Sequence, residues 1–455
     1  MITLAEVAGA VAGRVYGEAG LITGVVTDTR SMARDCLFVA LRGERFDGHS
    51  FLREASLQGA AAALTDRPPE VGWPACVVVP NTRLALGQLA AYWRRKMTAQ
   101  VIAVTGSNGK TSVKEMAAQI LAQVASGIAT QGNLNNDIGM PLTLLRLRPH
   151  HRYAVVEMGM NRPGEIAALA AIAAPDIAVV TNAGSAHLAG LGSVAAVAEE
   201  KGQIYSALSV HGAAVINGDD PFADYWRGLS TGRTLTYGLE SAADVTATFT
   251  LSAAGSVLAI RAPAWRDSLS ATLRVLGRHN VMNALAATAI AVAFGVPGFA
   301  IAKGLSAVGP VHGRLESGLG YAGSRIIDDT YNANPDSARA ALEVLVHMSG
   351  ERWFVLGDMA ELGPEAVHLH SVFGEAVARS GVDHLWTLGE LAQHASQSFG
   401  ANGRHYHDWE RLTHDLRSVL HKQAVVLVKG SRSMRMERVV VGLQDMGGPH
   451  ASSLV

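Results

Sequence analysis

Short apolar runs recur along the chain, and most of them stop at a polar or Gly-containing loop. Their spacing predicts strands over 35–41 and 76–79, with a helix over 82–95 closing a small α/β unit. The pattern restarts at Gln100. Residues 101–104 form a short apolar strand, followed by a Gly-rich turn and a stretch of helical period over 113–124. Strands over 153–157, 177–181 and 213–217 then alternate with helices over 164–173 and 193–208. Strands that alternate with helices imply a parallel, doubly wound sheet. Residues 240–275 alternate on a shorter period and suggest a small antiparallel patch. After residue 311 the alternation begins again, with strands over 325–328, 353–356, 384–387 and 424–428. The predicted class is α/β with three domains: 1–97, a small N-terminal unit; 98–310, a central doubly wound, mostly parallel sheet; and 311–455, a third α/β unit whose tail, 446–455, is expected to fray.

Composition narrows the function. The chain has 455 residues and is 49% apolar, enough for each domain to bury its own core. A net charge of −1 argues against a general electrostatic grip on nucleic acid. The two cysteines, Cys36 and Cys76, form no CxxC pair, so a reducing, cytoplasmic compartment is expected. The N-terminus lacks a basic start and apolar core. The longest apolar run, near 284–294, is too short for a bilayer, which takes about 20 residues. It reads as a buried helix, and no membrane insertion is expected.

The strongest local signal is Thr105-Gly106-Ser107-Asn108-Gly109-Lys110-Thr111-Ser112, placed between a strand and a helix. Glycines let successive backbone N–H groups converge on phosphate oxygens, and the helix N-terminus adds its dipole. Lys110 would neutralise β- and γ-phosphates, and the Thr111 hydroxyl would bind Mg²⁺. The general form has a first Gly where Val104 stands, so this is the shorter GxxGKT variant.

Ligands of doubly wound sheets lie beyond the carboxyl ends of the strands. Glu157 ends one strand, where a carboxylate can hold Mg²⁺ or simply be solvated. His187 lies in the loop after another and is a metal ligand or an ordinary histidine. Lys201, by local pattern alone, reads as a salt-bridged surface lysine. Asp219 and Asp220 precede Pro221 as N-cap candidates, and Asn280 and Asn283 read the same way. The pairs His368/His370 and His405/His407 lack a supporting cluster and are read as surface residues.

These pieces, in this order, resemble the Mur ligase family of ATP-dependent amide ligases, whose phosphate loop has the short form. Within it the MurF-type branch is the best fit. That narrower likeness rests on 37–43 with Asp47-Gly48-His49, on Gly132-Asn133-Leu134-Asn135-Asn136 with Gly139-Met140-Pro141-Leu142-Thr143, on Asp328-Asp329-Thr330-Tyr331-Asn332-Ala333-Asn334-Pro335, on 356–363, and on Val428-Lys429-Gly430-Ser431-Arg432. The resemblance implies a UDP-muramoyl-peptide-binding first domain, an ATP-binding centre and a Rossmann-like lid. It implies joining of D-alanyl-D-alanine to a UDP-N-acetylmuramoyl-tripeptide through an acyl phosphate, by a monomer.

The resemblance also assigns residues. Gly106, Ser107, Asn108, Gly109, Lys110, Thr111, Ser112, Asn280, Arg314 and Asp329 would hold ATP, with Asp329 on the ribose and Arg314 on the γ-phosphate. Thr111, Glu157, His187 and Lys201 would hold Mg²⁺, in two ions, with Lys201 carried as a carbamate. Lys110, His187, Lys201 and Arg314 would serve catalysis. Asp28 and Arg30 would meet the uridine end, and Asn135, Asn136, Asn332 and Asn334 the rest of the substrate. Thr29 stands where the usual form has Ser. The competing readings are a MurE-like ligase, a folylpolyglutamate synthetase, and, from another class, a P-loop kinase.

Overall fold

The computed structural model describes residues 2–44, 46–186 and 188–444, so the expected frayed tail at 446–455 lies outside the described residues. The N-terminal sheet contains β1 (Arg14–Tyr16), β2 (Gly24–Val26), β3 (Cys36–Val39), β4 (Ala62–Thr65) and β5 (Ala75–Val78). Its order is β1-β5-β4-β3-β2, with β1 alone antiparallel. The central sheet contains β6 (Gln100–Thr105), β7 (Gly127–Ala129), β8 (Tyr153–Glu157), β9 (Ile177–Val180), β10 (Ala213–Asn217) and β11 (Arg233–Tyr237). It is parallel throughout, in the order β11-β10-β9-β6-β8-β7.

A three-stranded antiparallel sheet follows, of β12 (Thr246–Ser252), β13 (Gly255–Arg261) and β14 (Leu269–Leu273). The C-terminal sheet contains β15 (Glu316–Leu319), β16 (Arg325–Asp329), β17 (Glu351–Gly357), β18 (His384–Leu388), β19 (Gly403–Tyr406) and β20 (Ala424–Lys429). Its order is β15-β16-β20-β17-β18-β19, and only β15 runs antiparallel. The α/β class and the antiparallel patch are as expected, and each predicted strand ends within two residues of the observed one. Edge strands β1, β2, β7 and β15 gave no sequence signal because they are short and only partly covered.

Several local readings need correction. Helix Arg278–Phe294 starts after Gly277 at φ +92°, so Asn280 and Asn283 lie inside its first turns and are not caps. Helix Ala223–Leu229 begins beyond Pro221. Asp220 instead accepts the N–H groups of Phe222 and Ala183 at 2.9 Å each, and Asp219 those of Leu239 and Ser241 at 2.7 Å each. His370 is fully buried, not a surface residue. It sits on the inner face of helix Ala366–Arg379, bonds the Ala366 carbonyl at 2.7 Å and accepts the Met359 N–H at 3.0 Å. Its neighbour His368 is exposed, while His405 is half-buried against Thr387.

One apolar cluster runs from the N-terminal sheet through helix Thr82–Lys96 into the helices Gly139–Leu145 and Glu165–Ala173 that cover the central sheet. Arg94 strengthens this joint by donating to the Ala173 carbonyl at 3.0 Å and to Asp176 at 2.7 Å. The C-terminal sheet has its own apolar clusters on its two faces. The first two units are therefore welded together, and the third folds around its own clusters, one of which takes in Leu276 from the central unit.

The helix Lys110–Leu121 that leaves the phosphate loop is clamped by helix Gly298–Ser306, whose Gly304 lets the two backbones touch. A Cβ on Gly304 would collide with the Ile120 backbone. Gly304→Ala should cost about 1–3 kcal/mol by overpacking, outweighing the helix propensity it adds. A lower urea midpoint in the transition of the central unit checks this; an unchanged or higher midpoint contradicts it.

Candidate active site

β6, β8 and β9 pair in register, with Val104 opposite Glu157 and Thr105 opposite Val180. Their exit loops therefore emerge side by side. Gly106 turns at φ +150°, and a Cβ there would run into the Thr181 hydroxyl. Gly109, at φ +83°, opens helix Lys110–Leu121. The loop is zipped to the one after β9. Ser107 N–H donates to the Asn182 carbonyl at 3.0 Å, and Asn108 N–H to Asn182 Oδ1 at 2.9 Å. Gly184 N–H donates to Ser107 Oγ at 2.9 Å, and the Thr181 hydroxyl to the Asn108 carbonyl at 2.5 Å.

Lys110 folds back over this loop and donates to the carbonyls of Gly106 at 2.5 Å and Ser107 at 3.4 Å. Burial pushes its pKa down; Glu157 opposes the shift and Arg314 adds to it. Glu157 is only 2% exposed, so the solvated strand-end reading fails. Its carboxylate accepts the Thr111 hydroxyl at 2.9 Å and Asn135 Nδ2 at 2.8 Å. Lys201, in helix Val194–Ser206, is 1% exposed and not a surface lysine. Its neighbour Glu200 is tied to the N–H groups of Gly164 and Ile166, and no described group hydrogen-bonds Lys201 Nζ. Burial, and then the charge of Lys110, hold its ammonium far below the usual lysine range. His187 lies outside the described residues.

The third body closes over these groups. Arg314 Nη2 donates to Thr111 Oγ1 at 2.9 Å, across 203 positions of sequence. Its guanidinium lies 4.2 Å from the Tyr331 ring centroid, while its Nε is buried with no partner among the described residues. Asp329, at the end of β16, pairs with Lys429, at the end of β20, at 2.5 Å. Lys429 also donates to the Asn332 carbonyl at 2.9 Å. Nearby, burial and Lys429 bring His279 down to about 4, which leaves it neutral.

These groups surround a cleft of about 1030 Å³ walled by all three units, from Arg83 to Arg432. Ser107, Asn108, Gly109, Lys110, Ser112, Asn135, Asn136, Glu157, Asn280, Arg314, Asp329, Asn332 and Asn334 all reach its wall. Gly106, Thr111 and Lys201 do not line it. Asn136 Oδ1 also accepts the Gly139 N–H at 2.9 Å, ahead of helix Gly139–Leu145, and Asn280 Nδ2 donates to the Leu276 carbonyl at 2.8 Å. Asp28 and Arg30 are not brought to this wall. They pair with each other at 2.6 Å on an exposed turn. The sequence reading assigned no role to Lys429, His279, Asp336 or the Tyr331 ring. Lys429 carried one usable signal, a cation at the carboxyl end of a buried strand.

Three sequence profiles of one family match the chain: "Mur ligase family, catalytic domain" over 21–94, "Mur ligase middle domain" over 104–291, and "Mur ligase, glutamate ligase domain" over 313–432. An Escherichia coli protein named UDP-N-acetylmuramoyl-tripeptide–D-alanyl-D-alanine ligase is 42% identical over 98% of this chain and 99% of its own. The chain belongs to the Mur ligase family. Among solved structures, this Mur ligase superposes on MurF from Acinetobacter baumannii with a TM-score of 0.90, at 35% identity, over 96% of this chain and 98% of that one. It also superposes on Thermotoga maritima MurF ligase in complex with ADP, with a TM-score of 0.82 at 29% identity, over 92% and 96% of the two chains.

The two glycines of this loop make different demands. Gly106→Ala meets the Thr181 side chain and its backbone N, whereas Gly109→Ala meets the Asn283 side-chain amide, which can turn away. Gly106→Ala should weaken binding of a fluorescent ATP analogue more than about tenfold, a loss of about 1.4 kcal/mol or greater. Gly109→Ala should bind the analogue more tightly than Gly106→Ala does; the reverse order contradicts this account of the loop.

Proposed function

We propose that this chain joins D-alanyl-D-alanine to UDP-N-acetylmuramoyl-tripeptide, consuming ATP and passing through an acyl phosphate. The observation that carries the chemistry is the convergence of Lys110, Thr111 and Glu157 with Arg314, which arrives from the third body with a buried Nε unpaired among the described residues. An orphaned guanidinium N–H over a phosphate loop fits a phosphoryl oxygen. The substrates follow from near-full-length relatives of that name at 42% and 37% identity, from Escherichia coli and Bacillus subtilis. Likeness to MurE-type and folylpolyglutamate enzymes, at 19% identity each, extends to the fold alone.

The tripeptide carboxylate and the γ-phosphate are both anions. Lys110 and Arg314 offset their repulsion and stabilise charge spread over the transferring phosphoryl group. The neighbouring oxygens of Thr111 and Glu157 are hard donors that suit Mg²⁺, and the family resemblance would add His187 as a further ligand. Bound there, the ion would supply further charge stabilisation at the phosphates. A second ion needs oxygen from Lys201. A buried amine with a depressed pKa is neutral and nucleophilic, so it can add to CO₂ and become a carbamate. Asp329 would take the ribose hydroxyls, and Asn135 and Asn332, together with Asp28 and Arg30 on the first unit, the UDP-peptide.

Once the acyl phosphate exists, the dipeptide amine displaces phosphate. The third body, closed over the cleft, keeps water away during that step. The cleft is completed within one chain, so a monomer suffices. No helix among the described residues is long and apolar enough to cross a membrane. ATP, a UDP-linked substrate and two unbridged cysteines fit a cytoplasmic enzyme.

Phosphate release should require the UDP-tripeptide and should accompany pentapeptide when D-alanyl-D-alanine is added. A stable phosphorylated product would point to a kinase instead. Arg314→Ala should lower kcat by about 100-fold or more, as loss of one transition-state donor does, with little change in KM for the UDP-substrate. Equal kcat in variant and wild type removes Arg314 from the mechanism.

Carbamylation has its own readout. Enzyme in ¹³C-bicarbonate should show a carbamate carbon signal that is absent in Lys201→Ala. The signal should fade as pH falls, because protonation removes the nucleophilic amine. A spectrum identical in both proteins rejects the modification.

A further inference from the structure

The lid's grip on the phosphate loop contains contacts that involve no nucleotide or peptide group. Helix Pro335–Val346 begins with Asn334 as its N-cap. Asn334 Oδ1 accepts the Ser337 N–H at 2.8 Å, and Ser337 Oγ accepts the Asn334 N–H at 3.0 Å. This capping box commits Oδ1 to the helix and turns Nδ2 outward. There Nδ2 donates to Asn108 Oδ1 at 2.9 Å, and Asn108 Nδ2 returns a longer bond of 3.4 Å. Two residues on, Asp336 Oδ2 accepts the Ser185 N–H at 2.7 Å. A Cβ on Gly184 would strike that same oxygen, so the carboxylate sits directly on the backbone.

The two receiving segments are themselves stitched together. Ser107 bonds Gly184, and Asn108 bonds Thr181 and Asn182. The lid helix therefore closes a knot of three segments. Asp336 also lines the cleft, which must accept a triphosphate and a carboxylate. A carboxylate there repels the triphosphate and the peptide carboxylate, so it is not a ligand for either of those anionic groups. Its place is accounted for by the Ser185 N–H and by the N-terminal end of its own helix.

We propose that Asn334 and Asp336 are positioning residues that latch the lid to the phosphate loop and so keep water from the acyl phosphate. This rests on the ligase reading above. In the productive step the amine nitrogen bonds to the acyl carbon, the carbon–oxygen bond to phosphorus breaks, and phosphate leaves with the electron pair while the amine gives up a proton. In the leak, water attacks the same carbon, and carboxylate, phosphate and a proton result. Each leak consumes one ATP and yields no amide. Arg314 governs the charge at the phosphoryl group; the latch governs how long the closed state lasts.

The test uses the full-length enzyme with ATP, Mg²⁺ and both peptide substrates, and counts phosphate released per pentapeptide formed. Wild type should give about one. Asn334→Ser keeps the helix cap but is too short to reach Asn108. Asp336→Ala removes the acceptor for Ser185. Each variant should lower the closed-to-open ratio about fivefold, the worth of one hydrogen bond, and raise phosphate per pentapeptide well above one. Asp336→Asn keeps an acceptor oxygen and should restore the wild-type ratio. A ratio that stays at one in both Asn334→Ser and Asp336→Ala overturns the latch, as does failure of Asp336→Asn to rescue.

A second readout needs no turnover. The distance between labels on the lid and on the central unit, measured without substrates, should lengthen in both variants. An unchanged distance distribution overturns the latch even where the chemistry proves different. Absence of pentapeptide from wild type would strike the ligase reading alone.

Discussion

Three parallel strands that end at one level are the constraint on which the site depends. Because β6, β8 and β9 pair in register, the phosphate loop, Glu157 and the segment from Thr181 to Ser185 leave the sheet as neighbours. The loop's shape is then a consequence of its surroundings. Gly106 must be a glycine because Thr181 occupies the space of a side chain, and the loop's own N–H and C=O groups are taken up by Asn182 and Thr181. What the loop then presents to the cleft is a helix N-terminus and a lysine folded back onto the loop's own carbonyls.

Around that turn the protein has gathered charges that it does not fully pair. Lys110, Glu157 and Arg314 face one cleft, and the buried Lys201 feels the charge of Lys110. Neither Lys201 Nζ nor Arg314 Nε has a hydrogen-bond partner among the described residues. Charge held out of water interacts strongly over short distances, and that strength is useful where phosphoryl charge develops. The same arrangement is costly to the empty protein. Binding of anionic substrate and metal would relieve that cost, so affinity and stability are coupled at this point.

The division of the core explains how such a site can open. The first two units share one apolar cluster and act as a single platform, whereas the third folds around its own sheet. Among the described residues, the side-chain hydrogen bonds from lid to platform include Arg314 to Thr111, Asn334 to Asn108, and Asp336 to Ser185, beside a backbone bond from Ala189 to Glu361 and the burial of Leu276 in the lid's apolar cluster. Polar contacts of this kind can be exchanged for water at small net free energy, which suits a body that must release product.

Much of this was readable in one dimension. Alternating apolar runs gave the α/β class because a buried parallel strand must be apolar on both faces. The phosphate loop was legible because its turn, lysine and helix start are contiguous, and the ordered motifs from Leu37 to Arg432 carried the family. Burial and pairing were not legible. Lys201 sits in Glu-Glu-Lys-Gly, which reads as a solvated helix face, yet it is sealed inside. His370 and Glu157 likewise owe their burial to helices and loops supplied by distant sequence. Arg314 meets Thr111 over 203 positions and Asn334 meets Asn108 over 226. Local sequence sets which way a side chain points along its own helix or strand. What lies on the far side of it, protein or water, is decided only when separate bodies dock, and that decision fixes the charge states and partners from which the chemistry is made.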